Sequence, residues 1–148
     1  MRRRYWDACA FLGWLKEEPD KVAECRQVIE EARSGTLEIV TSSLTLAEVL
    51  WLKGKDPIPV EDRRKVRRFF LSTWILLWEV DRQVAERAQD VVWDHTVRPK
   101  DSIHVATALV AGAEQLDTFD GPLIALDGKI GPPTLKIGRP RIDGKLPL

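Results

Sequence analysis

The stretch WILLWEV, residues 74–80, is an apolar run without polar alternation. A strand wetted on one face alternates every second residue. An unpatterned run belongs to a strand covered on both faces, as in a parallel sheet. The neighbouring segments agree. RRYW at 3–6 suits a short strand, LEIVTS opens another over 37–41, EQLDT is a short one, and TLKI at 134–137 is the last candidate. Between them the apolar spacing becomes helical. Phe11, Leu12 and Leu15 share one side of residues 8–17, and Val22, Cys25, Val28, Ile29 and Ala32 recur at three and four residues between Asp20 and Arg33. Ser42 or Ser43 can cap a helix that runs to Gly54, and residues 60–71 form a basic amphipathic helix. Asp81 caps a helix from 82 to about 94, and Pro99 opens one that Gly112 closes. Strands alternating with helices predict an α/β fold with a central parallel sheet. In such sheets function sits beyond the carboxyl ends of the strands, here just after residues 6, 41, 80 and 117.

A chain of 148 residues suffices for one domain with a real core. The expected domain is the whole chain, 1–148, with its core over about 3–138 and a Gly/Pro-rich tail after Asp120. Lys plus Arg and Asp plus Glu both number 23, so net charge does not mark a polyanionic partner. Cys9 and Cys25 form no CxxC, which argues against a disulfide framework or zinc site and for a reduced, cytoplasmic protein. No apolar run reaches membrane-spanning length. The opening MRRRYWDACAFLGWL is basic and then apolar, like a signal peptide. Asp7 interrupts it, however, and Lys16-Glu17-Glu18 ends it without a small-residue cleavage site.

Four acids fall at the places the sheet singles out. Asp7 follows the first strand, Asp101 lies in the first turn of its helix, and Asp120 follows EQLDT. Taken alone, each has an ordinary explanation: a helix cap, a dipole partner, a turn. Glu48 does not. It is the only polar residue from Leu46 to Leu52, and Leu44, Trp51 and Leu52 lie one turn away. A carboxylate in apolar surroundings needs a cation, donors or a proton. All four can reach one edge of the sheet. At 4–5 Å each pair would repel by roughly 3–4 kcal/mol at an effective dielectric near 20. A hard divalent cation such as Mg²⁺ or Mn²⁺ answers that repulsion, activates water, and neutralises charge on a phosphate.

The contexts RRYWDACAFLGWL, VTSSLTLAEVL, RPKDSIHVATALVAGAEQL and TFD carry these acids in order, with gaps of 41, 53 and 19 residues between positions 7, 48, 101 and 120. In this they resemble the PIN-domain ribonucleases, and within them the toxins of VapBC-type toxin–antitoxin pairs. The resemblance covers most of the chain. It implies a three-layer α/β/α sandwich and an Mg²⁺- or Mn²⁺-dependent endoribonuclease that hydrolyses RNA phosphodiester bonds. It also implies Asp7, Glu48, Asp101 and Asp120 as catalytic residues, with Asp7, Asp101 and Asp120 on the metal, a homodimer, and a cognate antitoxin. The chain departs from the family after the first Asp, where a Thr or Ser is usual and then often an Asn or Ser. Ala8 and Cys9 stand there instead. That departure motivates the alternative of a weak or inactive PIN-like module for binding or assembly.

Other residues are secondary candidates. Asp117, Thr118, Ser42 and His104 are possible supports of the site; His104 lies three residues after Asp101, although a satisfied helical histidine is the commoner case. Arg63, Arg64, Arg67 and Arg68, with Lys65 and the N-terminal Arg2, Arg3 and Arg4, could contact RNA phosphates or simply be solvated. Trp74 and Trp78 read as core. Trp6, Trp14 and Trp51 read as core or as an interface with a second copy or an antitoxin. A Cys9 thiol nucleophile finds no paired histidine. A phosphoacceptor receiver domain would want an acid pair before Asp7, which is missing.

Overall fold

A computed structural model describes residues 1–143. Among these residues the strands are β1 (Arg2–Trp6), β2 (Leu37–Ser42), β3 (Ile75–Trp78), β4 (Gln115–Asp117) and β5 (Lys136–Gly138). They form one wholly parallel sheet in the order β3-β2-β1-β4-β5. The helices are α1 (Ala8–Leu15), α2 (Val22–Arg33), α3 (Ser43–Glu48), α4 (Arg63–Phe70), α5 (Arg82–His95), α6 (Pro99–Val110) and α7 (Gly121–Ile124). A 3-10 turn at Val60–Asp62 leads into α4.

Two cores flank the sheet. On one face Trp6 and Ile39 pack with Phe11 of α1, Val28 and Ile29 of α2, and Phe70 of α4. On the other, Tyr5, Val40 and Leu116 pack with Val91 of α5, Val105 and Leu109 of α6, and Leu123 of α7. The result is a three-layer α/β/α sandwich. The side-chain parity of β1 assigns its residues: Trp6 faces the first core and Tyr5 the second. The last segment is part of the body. Arg139 and Arg141 both bond Glu24 of α2, and the Ile142 N–H donates to Gln27 Oε1 at 3.0 Å. Residues 144–148, the end of the expected tail, lie outside the described residues.

Local signals are obeyed. Asp81 caps α5 by accepting from Val84 N–H at 2.9 Å, Pro99 is the first residue of α6, and Gly112 turns the chain at φ +69°. Three elements differ from expectation. β3 lies at the sheet edge, so Leu77 is 40% exposed rather than covered on both sides. β5 sits a little later than TLKI. The helix expected to reach Gly54 stops at Glu48, where the amides of Leu50 and Trp51 tighten onto the carbonyls three residues back and Ile58 N–H takes the Leu50 carbonyl. Glu48 is therefore the last residue of α3 and not a mid-helix residue.

Candidate active site

β1, β2 and β4 are neighbours, and the chain order along the sheet reverses between β1 and β4. Such a switch point leaves a crevice at the carboxyl edge. Asp7 leaves β1 there, Ser42 leaves β2 into α3, and Thr118 leaves β4 toward Asp120. Ser42 caps α3 by accepting from Leu44 N–H at 3.1 Å. That short helix delivers Glu48, and the first turn of α6 delivers Asp101.

Asp7 is both a helix cap and the most heavily bonded acid of the group. Its Oδ1 accepts from Ala10 N–H at 3.1 Å and from the Cys9 thiol at 3.1 Å. Its Oδ2 accepts the Thr118 hydroxyl at 2.6 Å. The thiol thus does part of what a hydroxyl beside the first Asp would do, and Thr118 does the rest. Burial pushes the Asp7 carboxyl above its ordinary value, while His104 and these donors pull it back. Asp120 caps α7 through Leu123 N–H at 3.1 Å, and its own N–H donates to Thr118 Oγ1 at 3.1 Å.

Asp101 stands apart. It is partly buried, and among the described residues no protein donor reaches its carboxylate. Burial raises its pKa, and the negative charges of Asp120, Asp7 and Glu48 raise it further. Asp101 therefore lies in the field of the other three acids across the crevice. The four do not close on a common point: no three Asp, Glu, His or Cys side chains among the described residues form a ready metal-holding group. The reason lies in the hydrogen bonds. Asp7 and Asp120 are turned toward capping amides, and Glu48 toward a histidine. The donor set is nevertheless one of hard oxygens with an unmet demand for positive charge, which suits a divalent cation.

The partner that Glu48 required is His104. Nε2 of the imidazole lies 2.7 Å from Glu48 Oε1, and Nδ1 lies 2.6 Å from the Tyr5 hydroxyl. Burial alone would push His104 down, but the hydrogen bond and charge of Glu48, with Asp7 and Asp101, carry its pKa upward. Sequence reasoning misses Tyr5; its signal is its place two residues before Asp7.

Asp117 is not part of the crevice. It is fully buried, with Arg4 donating through Nε at 3.0 Å and Nη2 at 2.8 Å, Trp6 Nε1 at 2.8 Å and Gln115 Nε2 at 2.9 Å. This ion pair joins β1 to β4 on the opposite face. Arg2 pairs with Glu114, and Arg3 with Glu38, so the N-terminal arginines are structural. Trp6 is core, Trp14 packs against the same core beneath Arg33, and Trp51 is 76% exposed. Arg63, Arg64, Lys65, Arg67 and Arg68 are exposed on α4, with no carboxylate partner among the described residues. A groove of about 880 Å³ runs between α3 and α4, lined by Leu46, Leu50, Val60 and Phe70 and bordered by Arg63 and Arg67. It is apolar and distinct from the acidic crevice.

The PIN domain family model matches residues 4–129. No curated protein matches the chain. Among solved structures it is similar to a toxin–antitoxin complex from Klebsiella pneumoniae, at 17% identity, with 89% of this chain and 94% of that chain covered and a TM-score of 0.59. It is also similar to VapC20 of Mycobacterium tuberculosis, a toxin that cleaves the sarcin–ricin loop, at 17% identity, 80% and 90% coverage and a TM-score of 0.59. VapBC2 of Rickettsia felis, bound to a DNA fragment from its promoter, aligns at 15% identity, 91% and 96% coverage and a TM-score of 0.66. At these identities the likeness is one of fold.

Proposed function

The chain belongs to the PIN domain family, and from that membership we propose that it is a divalent-metal-dependent endoribonuclease, the toxin of a toxin–antitoxin pair. The observation that carries this reading is Asp101: a partly buried carboxylate without a donor, its pKa raised by burial and then by three other acids at the sheet's carboxyl edge. Asp7, Asp101 and Asp120 would hold Mg²⁺ or Mn²⁺, with Glu48 beside them. When bound, the ion would supply Lewis-acid activation of water and neutralise charge on the phosphate. The chain's own contribution is placement. Caps fix Asp7 and Asp120 at helix starts, Thr118 ties one to the other, and α6 presents Asp101 unencumbered.

The alternative of an inactive binding module drew its support from Ala8 and Cys9. The donors Cys9 and Thr118 around Asp7 weaken that support. The RNA substrate, cytoplasmic location, homodimer and antitoxin belong to the same proposal. No helix among the described residues is long and apolar enough to cross a membrane. The exposed cations of α4 favour a phosphate-bearing ligand, and the apolar groove favours a protein partner.

The decisive experiment is to induce the wild type and Asp7→Asn in a bacterial host and map new RNA 5′ ends. Growth arrest and discrete cuts from the wild type alone are expected. Equal cutting by Asp7→Asn would overturn the assignment.

A further inference from the structure

We propose that His104 is a positioning residue: braced by the Tyr5 hydroxyl, it holds one oxygen of Glu48 so that the other is presented to the crevice. This rests on Glu48 belonging to the reaction. The brace is built entirely from buried parts. Tyr5 is 0% exposed and His104 1%, and each ring nitrogen has one partner. The Ser42 N–H donates to the Tyr5 oxygen at 3.2 Å. That leaves the Tyr5 proton free to be given to Nδ1, and Nε2–H to be given to Glu48. When Nδ1 also carries a proton, Tyr5 accepts it, and Nε2–H still donates to Glu48. Nε2–H therefore donates to Glu48 in both states of the imidazole.

Glu48 has reason to need such a hold. It ends a six-residue helix, and the chain beyond it turns away with Leu50 and Trp51 exposed. Nothing in α3 itself restrains its side chain. Oε1 is taken by His104, while Oε2 has no protein donor among the described residues. The brace also spans the site: Tyr5 stands two residues before Asp7, His104 three after Asp101, and Ser42 starts the helix that ends in Glu48. One chain of hydrogen bonds thus sets three site elements against one another. Removing groups that orient a site carboxylate or ligand costs about 10–100-fold in activity or metal affinity.

The test uses the full chain and three variants. His104→Phe keeps the ring volume without a donor, His104→Gln can place an amide N–H near the Nε2 position, and Tyr5→Phe removes only the hydroxyl. Thermal unfolding identifies the variants that fold. Expected for folded His104→Phe is a kcat for RNA cleavage about 10–100-fold lower with KM unchanged. Mn²⁺ affinity by calorimetry should weaken in parallel, and both should be largely restored in His104→Gln. In the metal-free wild type, the hydrogen-bonded Nε2–H proton should give an NMR resonance that Glu48→Ala abolishes. If His104→Phe does not fold, Tyr5→Phe serves in its place, with a smaller fall in kcat expected. Unchanged kcat and Mn²⁺ affinity in a folded variant of an active wild type would overturn the positioning role and leave the nuclease reading standing. A wild type that neither cleaves RNA nor binds Mn²⁺ would overturn both.

Discussion

The Thr118 hydroxyl donates to Asp7 Oδ2 at 2.6 Å while its oxygen accepts the N–H of Asp120 at 3.1 Å. One side chain thus ties the first acid of the crevice to the last. Thr118→Val keeps the shape and removes both bonds. It should destabilise the protein by about 1–3 kcal/mol, the cost of leaving buried polar groups unpaired. Cleavage should fall further than that stability loss explains, measured at a temperature where the variant is fully folded.

Asp101 has no donor and three acidic neighbours, so its negative charge opposes folding of the metal-free protein. Asp101→Asn should abolish cleavage and raise the melting temperature in EDTA. Added Mn²⁺ should raise the melting temperature of the wild type more than that of the variant. A variant that melts lower than the wild type in EDTA would contradict the electrostatic account.

The same shifts give a pH dependence. His104 is raised in the folded state, so its contribution is complete below the unfolded value of about 6.5 and is lost as pH climbs through the folded value. Asp7 and Asp101 are also raised; the folded state holds more protons than the unfolded one above about 3.9, and stability again falls as pH rises. The signs agree. Metal-free protein should melt at a lower temperature at pH 8 than at pH 6 by calorimetric scanning, and Glu48→Gln should flatten the difference.

Asp117 should behave unlike the crevice acids. Asp117→Asn leaves the Arg4 guanidinium buried without its counter-charge, a loss of about 3–5 kcal/mol. Chemical denaturation should report that loss. Any residual folded fraction should retain its turnover per molecule, whereas Asp7→Asn should fold and not turn over.

The free cations of α4 make a separate claim about binding. Arg67→Ala with Arg68→Ala should raise KM for RNA with little change in kcat. On single-stranded RNA it should lower the slope of log affinity against log salt by about 0.7 for each phosphate no longer neutralised. An unchanged slope would assign this helix face to solvent alone.

What could be read from the sequence was local. Asp81, Pro99 and Gly112 mark helix ends through bonds spanning a few residues, and they mark them correctly. Glu48 stands out because its surroundings are apolar, yet it is not mid-helix: the helix ends at it, and Leu50 and Trp51 beyond it face solvent. Its partner lies 56 residues away, a separation that no periodicity encodes. Asp117 and Asp120 could not be separated by spacing. Strand parity decides between them: Asp117 pairs with Trp6 in the sheet register and points with Trp6 and Arg4 to the far face. Edge position likewise decides the exposure of β3, and strand order is a property of the assembled sheet.

The two faces of β1 divide labour. Arg4 and Trp6 lock Asp117 beneath one layer, while Tyr5 supports His104 beneath the other. The buried ion pair and the His104 brace are therefore carried by alternate letters of one five-residue word. A one-residue insertion in that word would exchange the two sets of side chains between layers and break both arrangements at once.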